Sequence, residues 1–268
     1  NGIVGPGLVS CTVGTSGVVF AATEAVTDAP DALQVFCHSV PGMWHVMGVT
    51  QAAGLSLRWV RDHLAAGDGR ATGDAAYERL MADAAGAAPG CEGLLFLPYL
   101  MGERAPHLDP EARGGWIGLT ARHTRADLVR AVLEGVSYSL RDCLALLEAA
   151  GIAVADVRAS GGGARSALWR GIMADVFGRP VAVLENAEGP AFGAALLAGT
   201  GAGVYPDVAT ACARTLREAG RIEPDPRRRE VYGAYYDVYR GLYPALKPSL
   251  GRLARHPAWA WPAGPPPG

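Results

Sequence analysis

From Val154 onward the chain runs strand, glycine-rich turn, helix, strand, helix: Val157 to Ser160, Gly161-Gly162-Gly163, Ser166 to Phe177, Val181 to Leu184, then Pro190 to Thr200. A chain that alternates short apolar runs with helical periodicity buries both by laying helices against a sheet. The remaining segments must therefore join an α/β layer. Near the start, Leu8 to Val13 and Val18 to Thr23 flank Gly14-Thr15-Ser16-Gly17 and read as a hairpin. Leu33 to His38 and Trp44 to Val49 are further strand candidates.

Between these ends, the spacing of Leu55, Trp59, Val60 and Leu64 predicts a helix over Gln51 to Leu64, and a second is expected over Asp74 to Ala85 with Asp74 as its cap. The intervening AAGDGRATGD reads as a surface loop. A strand at Leu94 to Leu97, an irregular Pro- and Gly-rich segment to Gly118 and a long helix from Arg125 to about Ala150 follow. Charges at Asp127, Arg130, Glu134 and Arg141 suit an exposed helix face. The tail from His256, containing AWAWPAGPPPG, is expected to be disordered or loosely docked.

At 268 residues and 50% hydrophobic, the chain can bury one substantial core or two smaller ones. A formal net charge of -2 leaves no basic surplus for a phosphate backbone, and the one basic run, Arg227-Arg228-Arg229, reads as a solvated helix face; nucleic acid is not an expected partner. No apolar run reaches the roughly 20 residues of a membrane span, and no signal segment opens the chain, so no membrane partner and a cytoplasmic location are expected. The five cysteines are scattered without CxxC spacing and read as reduced core residues. His38, His45, His63, His107 and His123 lack the spacing of a zinc site, so no metal ligands are assigned. The chain starts at Asn1 almost directly in a strand pattern, which suggests an upstream part.

Two turns carry the candidate chemistry. In Gly14-Thr15-Ser16-Gly17 the glycines permit close approach, backbone amides can face an anion and two hydroxyls can donate; a plain hairpin turn explains the same residues. Ser160-Gly-Gly-Gly-Ala-Arg-Ser166 follows a strand and opens a helix, where amides and the helix dipole can receive a phosphate; a flexible connecting loop is the alternative. Neither is a Walker A loop or GxGxxG, and Lys247 is the sole lysine, so a nucleotide would be held by amides, hydroxyls and arginine. Ser16 has no neighbouring histidine to make it a nucleophile. Glu103-Arg104 reads as an ion pair pinning an irregular loop, with Arg104 kept as an active-cleft candidate.

Gly93 to Glu134, and within it Gly114-x-Trp116-x-Gly118-Leu119 followed after seven residues by Asp127-Leu128-x-x-Ala131-Val132-Leu133-Glu134, resembles the C-terminal signature of the FGGY carbohydrate kinases. The resemblance extends to about Gly241 and includes the GTSG turn, GGGARSALWR and Gly189-Pro-Ala-Phe-Gly-Ala-Ala195. FCHSVPGMWHVMGVT and GERAPHLDP are most similar to the xylulose-phosphorylating branch of that family.

The resemblance implies an actin/hexokinase/Hsp70-like (ribonuclease H-like) α/β domain, a mixed sheet with helices on both faces. It implies residues 1-241 as a C-terminal nucleotide-binding domain and 242-268 as a helix end and tail. An N-terminal sugar-binding domain, absent from this chain, would carry the general-base aspartate upstream of Asn1. ATP with Mg²⁺ and a sugar are the implied ligands. Gly14, Thr15 and Ser16 would face the phosphates, Gly118 would lie against the nucleotide, and Gly162, Gly163, Ser166 and Ala167 would form the adenosine pocket. Gly189, Pro190 and Gly193 are expected to serve helix-to-sheet packing. A homodimer is a candidate assembly. Glycerol or gluconate as acceptor, or a non-catalytic nucleotide-binding module, are the alternatives.

Overall fold

In β1 (Gly7–Val13), Val9, Cys11 and Val13 alternate with Ser10 and Thr12, so one face of the strand is apolar and buried. This strand stands at the centre of the computed structural model, which describes residues 1–64, 73–185 and 189–256. On one side β1 pairs antiparallel with β2 (Gly17–Thr23), β2 with β4 (Trp44–Thr50), and β4 with the edge strand β3 (Leu33–Cys37). On the other it runs parallel to β7 (Val154–Ser160), then β8 (Val181–Leu184), which pairs antiparallel with β9 (Glu218–Ile222). The order β3-β4-β2-β1-β7-β8-β9 makes one mixed sheet, and β5 (Leu95–Leu97) with β6 (Gly115–Ile117) forms a separate ribbon.

The helices are α1 (Gly54–His63), α2 (Asp74–Ala85), α3 (Arg125–Ala149), α4 (Ala167–Phe177), α5 (Gly189–Gly201), α6 (Val208–Thr215) and α7 (Pro226–Ala254). The long α3 packs on β2, β4 and β7 and buries Val132, Val136, Leu140 and Cys143 in the main core with Val9, Cys11 and Val13. Ser10 and Phe20 face the other way, onto a 310 Å³ cavity shared with Phe192 and Leu196 of α5 and Val208 and Cys212 of α6. Helices thus cover both faces, as expected.

Several local readings need correction. Asp74 is the first helical residue of α2, Gly73 holds the cap position and no side chain caps it. The loop read over AAGDGRATGD lies largely outside the described residues, as does the tail beyond 256. The segment to Gly118, read as irregular, contains β6. The helix α7 passes without interruption through residue 241, with Pro244 and Pro248 inside it. The helix face read at Arg227-Arg228-Arg229 and the helix end read from residue 242 thus belong to one helix, which continues past prolines that ordinarily end one. Its Tyr232, Tyr236, Tyr239 and Tyr243 form a buried row three and four residues apart.

The charged face expected on α3 is partly internal. Arg130 and Glu134 are 5% and 1% exposed and pair at 2.7 Å. Arg130 Nη2 donates to Tyr232 Oη at 2.8 Å, and that hydroxyl donates to Glu134 Oε1 at 2.8 Å, closing a triangle between α3 and α7. The Gly90 amide also donates to Glu134 at 3.1 Å. Arg227, Arg228 and Arg229 are exposed, with Arg228 paired to buried Asp175 at 2.5 Å. Four cysteines are buried; Cys37, at the end of an edge strand, is exposed. Gly189 and Gly193 do not pack tightly either: a Cβ on each would meet nothing within 4 Å.

Candidate functional site

The turn between β1 and β2 is fixed from below. The Gly54 amide donates to the Gly14 carbonyl at 2.8 Å, and the Ala53 and Leu55 amides donate to the Thr15 carbonyl at 3.0 and 3.1 Å. The first amides of α1 are thereby satisfied by the turn rather than by side-chain caps. With its carbonyls turned toward α1, the turn leaves the Thr15 and Ser16 amides without an acceptor among the described residues. Thr15 is exposed at the tip. Such free amides with adjacent hydroxyls make a concavity suited to an anion.

The second turn follows β7, which lies beside β1 with Thr12 opposite Ser160 and their hydroxyls 2.8 Å apart. That pairing carries Gly161-Gly162-Gly163 to the same end of the sheet as Gly14. Gly161 adopts φ +82 and packs on the Val13 backbone, where a Cβ would come 2.6 Å from its carbonyl oxygen. Gly163 is packed too: a Cβ there would lie 2.5 Å from Val13 Cγ1. Gly162 faces open space. Ser166 caps α4 by accepting the Trp169 amide at 3.2 Å, and its hydroxyl is 3.1 Å from Met81 Sδ. Trp169 in turn donates its indole N–H to the Leu133 carbonyl at 3.2 Å, anchoring α4 on α3.

Both turns line one cleft of about 840 Å³. Gly14, Thr15, Gly162, Gly163, Ser166 and Ala167 border it. Opposite them stand residues that the sequence did not single out: Gly54, Leu57 and Arg58 from α1, and Tyr77, Glu78 and Met81 from α2. Both helices are legible from periodicity, but which face meets the turns depends on the α1–turn hydrogen bonds. The cleft is small-residued and amide-rich at one end and apolar at Tyr77, Met81 and Leu168, a shape that suits a molecule with an anionic end and a flat apolar one. Arg165 and Asp74 approach to 3.7 Å across its mouth, both largely exposed. Exposed pairs contribute little to stability.

Three sequence candidates fall elsewhere. Ser16 belongs to the same turn but does not border the cleft. Gly118, at φ +91, is packed where a Cβ would stand 2.5 Å from the Gly93 carbonyl oxygen. Arg104 is exposed on the loop after β5 and does not border the cleft. It forms no ion pair with Glu103, contrary to expectation: Glu103 is 3% exposed and accepts the Gln51 and Arg104 amides at 2.9 and 2.7 Å. Burial pushes its carboxyl up to about 8. Among the described residues no group of three or more histidines, cysteines or carboxylates could hold a metal ion, and no helix is long and apolar enough to cross a membrane.

The signature residues themselves serve architecture. Asp127 accepts the Thr124 amide at 2.8 Å at the start of α3, the Trp116 indole donates to the Leu128 carbonyl at 3.1 Å, and Glu134 closes the buried triangle.

A mixed sheet covered on both faces, with glycine turns of adjacent strands opening on one cleft, places the molecule in the actin/hexokinase-like α/β class. Residues 9–202 match the C-terminal domain of the FGGY family of carbohydrate kinases, and the chain belongs to that family. It is 37% identical over 252 residues to a xylulose kinase of Staphylococcus epidermidis, covering 92% of this chain and 49% of that protein. A gluconokinase of Bacillus licheniformis is 34% identical over 247 residues, covering 88% and 47%. The crystal structure of xylulose kinase from Rhodospirillum rubrum superposes with a TM-score of 0.83 at 38% identity, covering 94% of this chain and 49% of that one. The chain spans about half the length of the curated relatives it matches.

Proposed function

We propose that this chain is the nucleotide-binding half of an ATP-dependent sugar kinase that phosphorylates a pentulose, D-xylulose to D-xylulose 5-phosphate. The observation that carries the reading is the convergence of Gly14-Thr15 and Gly162 to Ala167 on one cleft. In this reading the Thr15 amide and hydroxyl receive the terminal phosphates, with Gly162 and Ala167 against the adenosine. The two carboxylates that border the cleft, Asp74 and Glu78, do not make a cation site with any third ligand among the described residues, so Mg²⁺ would arrive on the phosphates of ATP.

The remaining half of the relatives' length would supply the sugar contacts and the general base that takes the proton of the attacking hydroxyl. This chain's own part is to hold and orient the nucleotide for in-line transfer. The cytoplasmic location expected above belongs to this reading. Gluconate is the second acceptor that the relatives' names support, since a gluconokinase matches at nearly the same identity.

The test is calorimetry of ADP with this chain, beside a coupled ADP-release assay with D-xylulose and gluconate on the chain and on the full-length gene product. Weak ADP binding by the chain, no turnover by the chain and turnover of D-xylulose by the full-length protein are expected. Loss of a general base costs about 10²- to 10⁴-fold, and loss of positioning removes roughly 7 to 11 kcal/mol of assistance. Robust sugar-dependent ADP formation by the chain alone refutes the division of labour; full-length activity on gluconate alone refutes the substrate.

A further inference from the structure

The irregular segment after β5 grips the end of β4 at two points. The Ala105 amide donates to the Val49 carbonyl at 3.0 Å, and two residues later along β4 and its exit the Gln51 amide donates to Glu103 Oε1 at 2.9 Å. Between these grips lies buried Thr50, and directly after the second come the fully buried Ala52 and Ala53. Ala53 and the two residues after it are the ones whose amides hold the Gly14 and Thr15 carbonyls. One hydrogen-bonded path therefore leads from Glu103 through Gln51 and the 51–53 bend to the turn facing the cleft. Glu103 is itself held by its backbone, which exchanges amide and carbonyl bonds with Asp109 at 2.9 and 2.8 Å.

We infer that Glu103 is a positioning residue that fixes the 51–55 bend under the Gly14-Thr15 turn and so holds the turn's amides in place for the nucleotide phosphates. Two features support a positioning role over a simple core contact. A long polar side chain is almost wholly excluded from water, yet only Oε1 is used; Oε2 is buried with no hydrogen-bond partner. A buried polar group in that condition is costly, and the fold retains it where its other oxygen satisfies two backbone amides at once. Burial raises its proton affinity, and its Oε1 is held by two backbone amides rather than by an ion pair. The nucleotide part of the inference rests on the function proposed above; the ordering of the turn does not.

The test uses the nucleotide-free chain with Glu103→Gln, Glu103→Ala and Glu103→Asp, and with Leu196→Ala as a destabilised control in the separate α5–α6 cluster. Amide hydrogen exchange is the first readout. Loss of one hydrogen bond speeds exchange about tenfold, and this is expected at Ala53, Gly54 and Leu55 in the Ala variant and, should that variant not fold, in the Asp variant. Glu103→Gln keeps the accepting oxygen and should retain protection; Leu196→Ala should leave these amides unchanged. ADP calorimetry is the second readout, with affinity falling in the Ala and Asp variants and restored in Gln. Unchanged protection in both Ala and Asp variants, or equal loss in Gln, overturns the inference. Failure of the unsubstituted chain to bind ADP overturns the nucleotide reading and leaves the exchange result to decide the role of Glu103.

Discussion

The Gly54 amide donates to the Gly14 carbonyl at 2.8 Å, and a Cβ on Gly54 would stand 2.4 Å from that same oxygen. The helix α1 can reach the turn only without a side chain at this position. Gly54→Ala is therefore expected to displace the turn, lowering ADP affinity at least about tenfold if one hydrogen bond to the turn is lost. Gly171→Ala, in α4 where a Cβ meets nothing within 4 Å, is expected to stabilise by about 0.5 to 1 kcal/mol. Calorimetry with ADP and thermal melts of the two variants check the contrast; equal behaviour would remove Gly54 from the argument.

Neighbouring glycines in the second turn should separate packing from binding. A side chain at Gly163 collides with Val13 and, at 3.1 Å, with Trp169, so Gly163→Val should cost about 1 to 3 kcal/mol or more as overpacking. Gly162 has open space, and Gly162→Val should leave the urea midpoint nearly unchanged while weakening ADP binding. Unaltered ADP affinity in Gly162→Val would take that turn out of the site.

Removing one member of the buried triangle strands the others. Arg130→Met leaves Glu134, 1% exposed, with an uncompensated carboxylate, and a loss of about 3 to 5 kcal/mol is expected in chemical denaturation. Tyr232→Phe removes only the bridging hydroxyl and should cost about 1 to 3 kcal/mol. A mild Arg130→Met, below the cost of Tyr232→Phe, would show that Glu134 is not left as an uncompensated buried charge.

Stability should fall as pH rises through neutrality. Glu103 keeps its proton to about pH 8 in the fold against an ordinary value of 4.5, with burial the main cause and Asp142 a lesser one. Between those values the folded state binds more protons than the unfolded one, so stability declines with pH, at most about 1.4 kcal/mol per unit from one group, and levels off above 8. Asp142, pushed up to about 6 by burial, adds the same sign only below pH 6. Urea midpoints at pH 6.5 and 8.5 should differ clearly in the unsubstituted chain and little in Glu103→Gln; an undiminished slope in Glu103→Gln would assign the titration elsewhere.

Much of the fold was legible because its signals are local. Strand alternation, as in Val9, Cys11 and Val13, and helical spacing, as in α3 and α4, follow from which neighbours along the chain share a face. The glycine turns at Gly14 and Gly161 could be read as sharp, approachable points on the same grounds. The site's other wall could not, since Tyr77 and Met81 reach the cleft only when α2 packs on α3 and brings Met81 to Ser166 at the start of α4. A helix at Arg227 to Arg229 was legible, but not that its Tyr232 packs on α3 and draws Arg130 and Glu134 inside.

By itself, then, the sequence determined most of the strands and helices up to Thr200, the family and the two turns that open the cleft, because these depend on residues close in the chain and on a specific spaced signature. Tertiary structure alone decided which glycines are spent on packing, as Gly118 and Gly163 are, and which face open space, as Gly162 does. It also decided that Glu103 takes two amides and Glu134 a buried pair instead of solvent. Burial and hydrogen-bond partnership are properties of segments tens to a hundred residues apart, and no local pattern encodes which of them will meet.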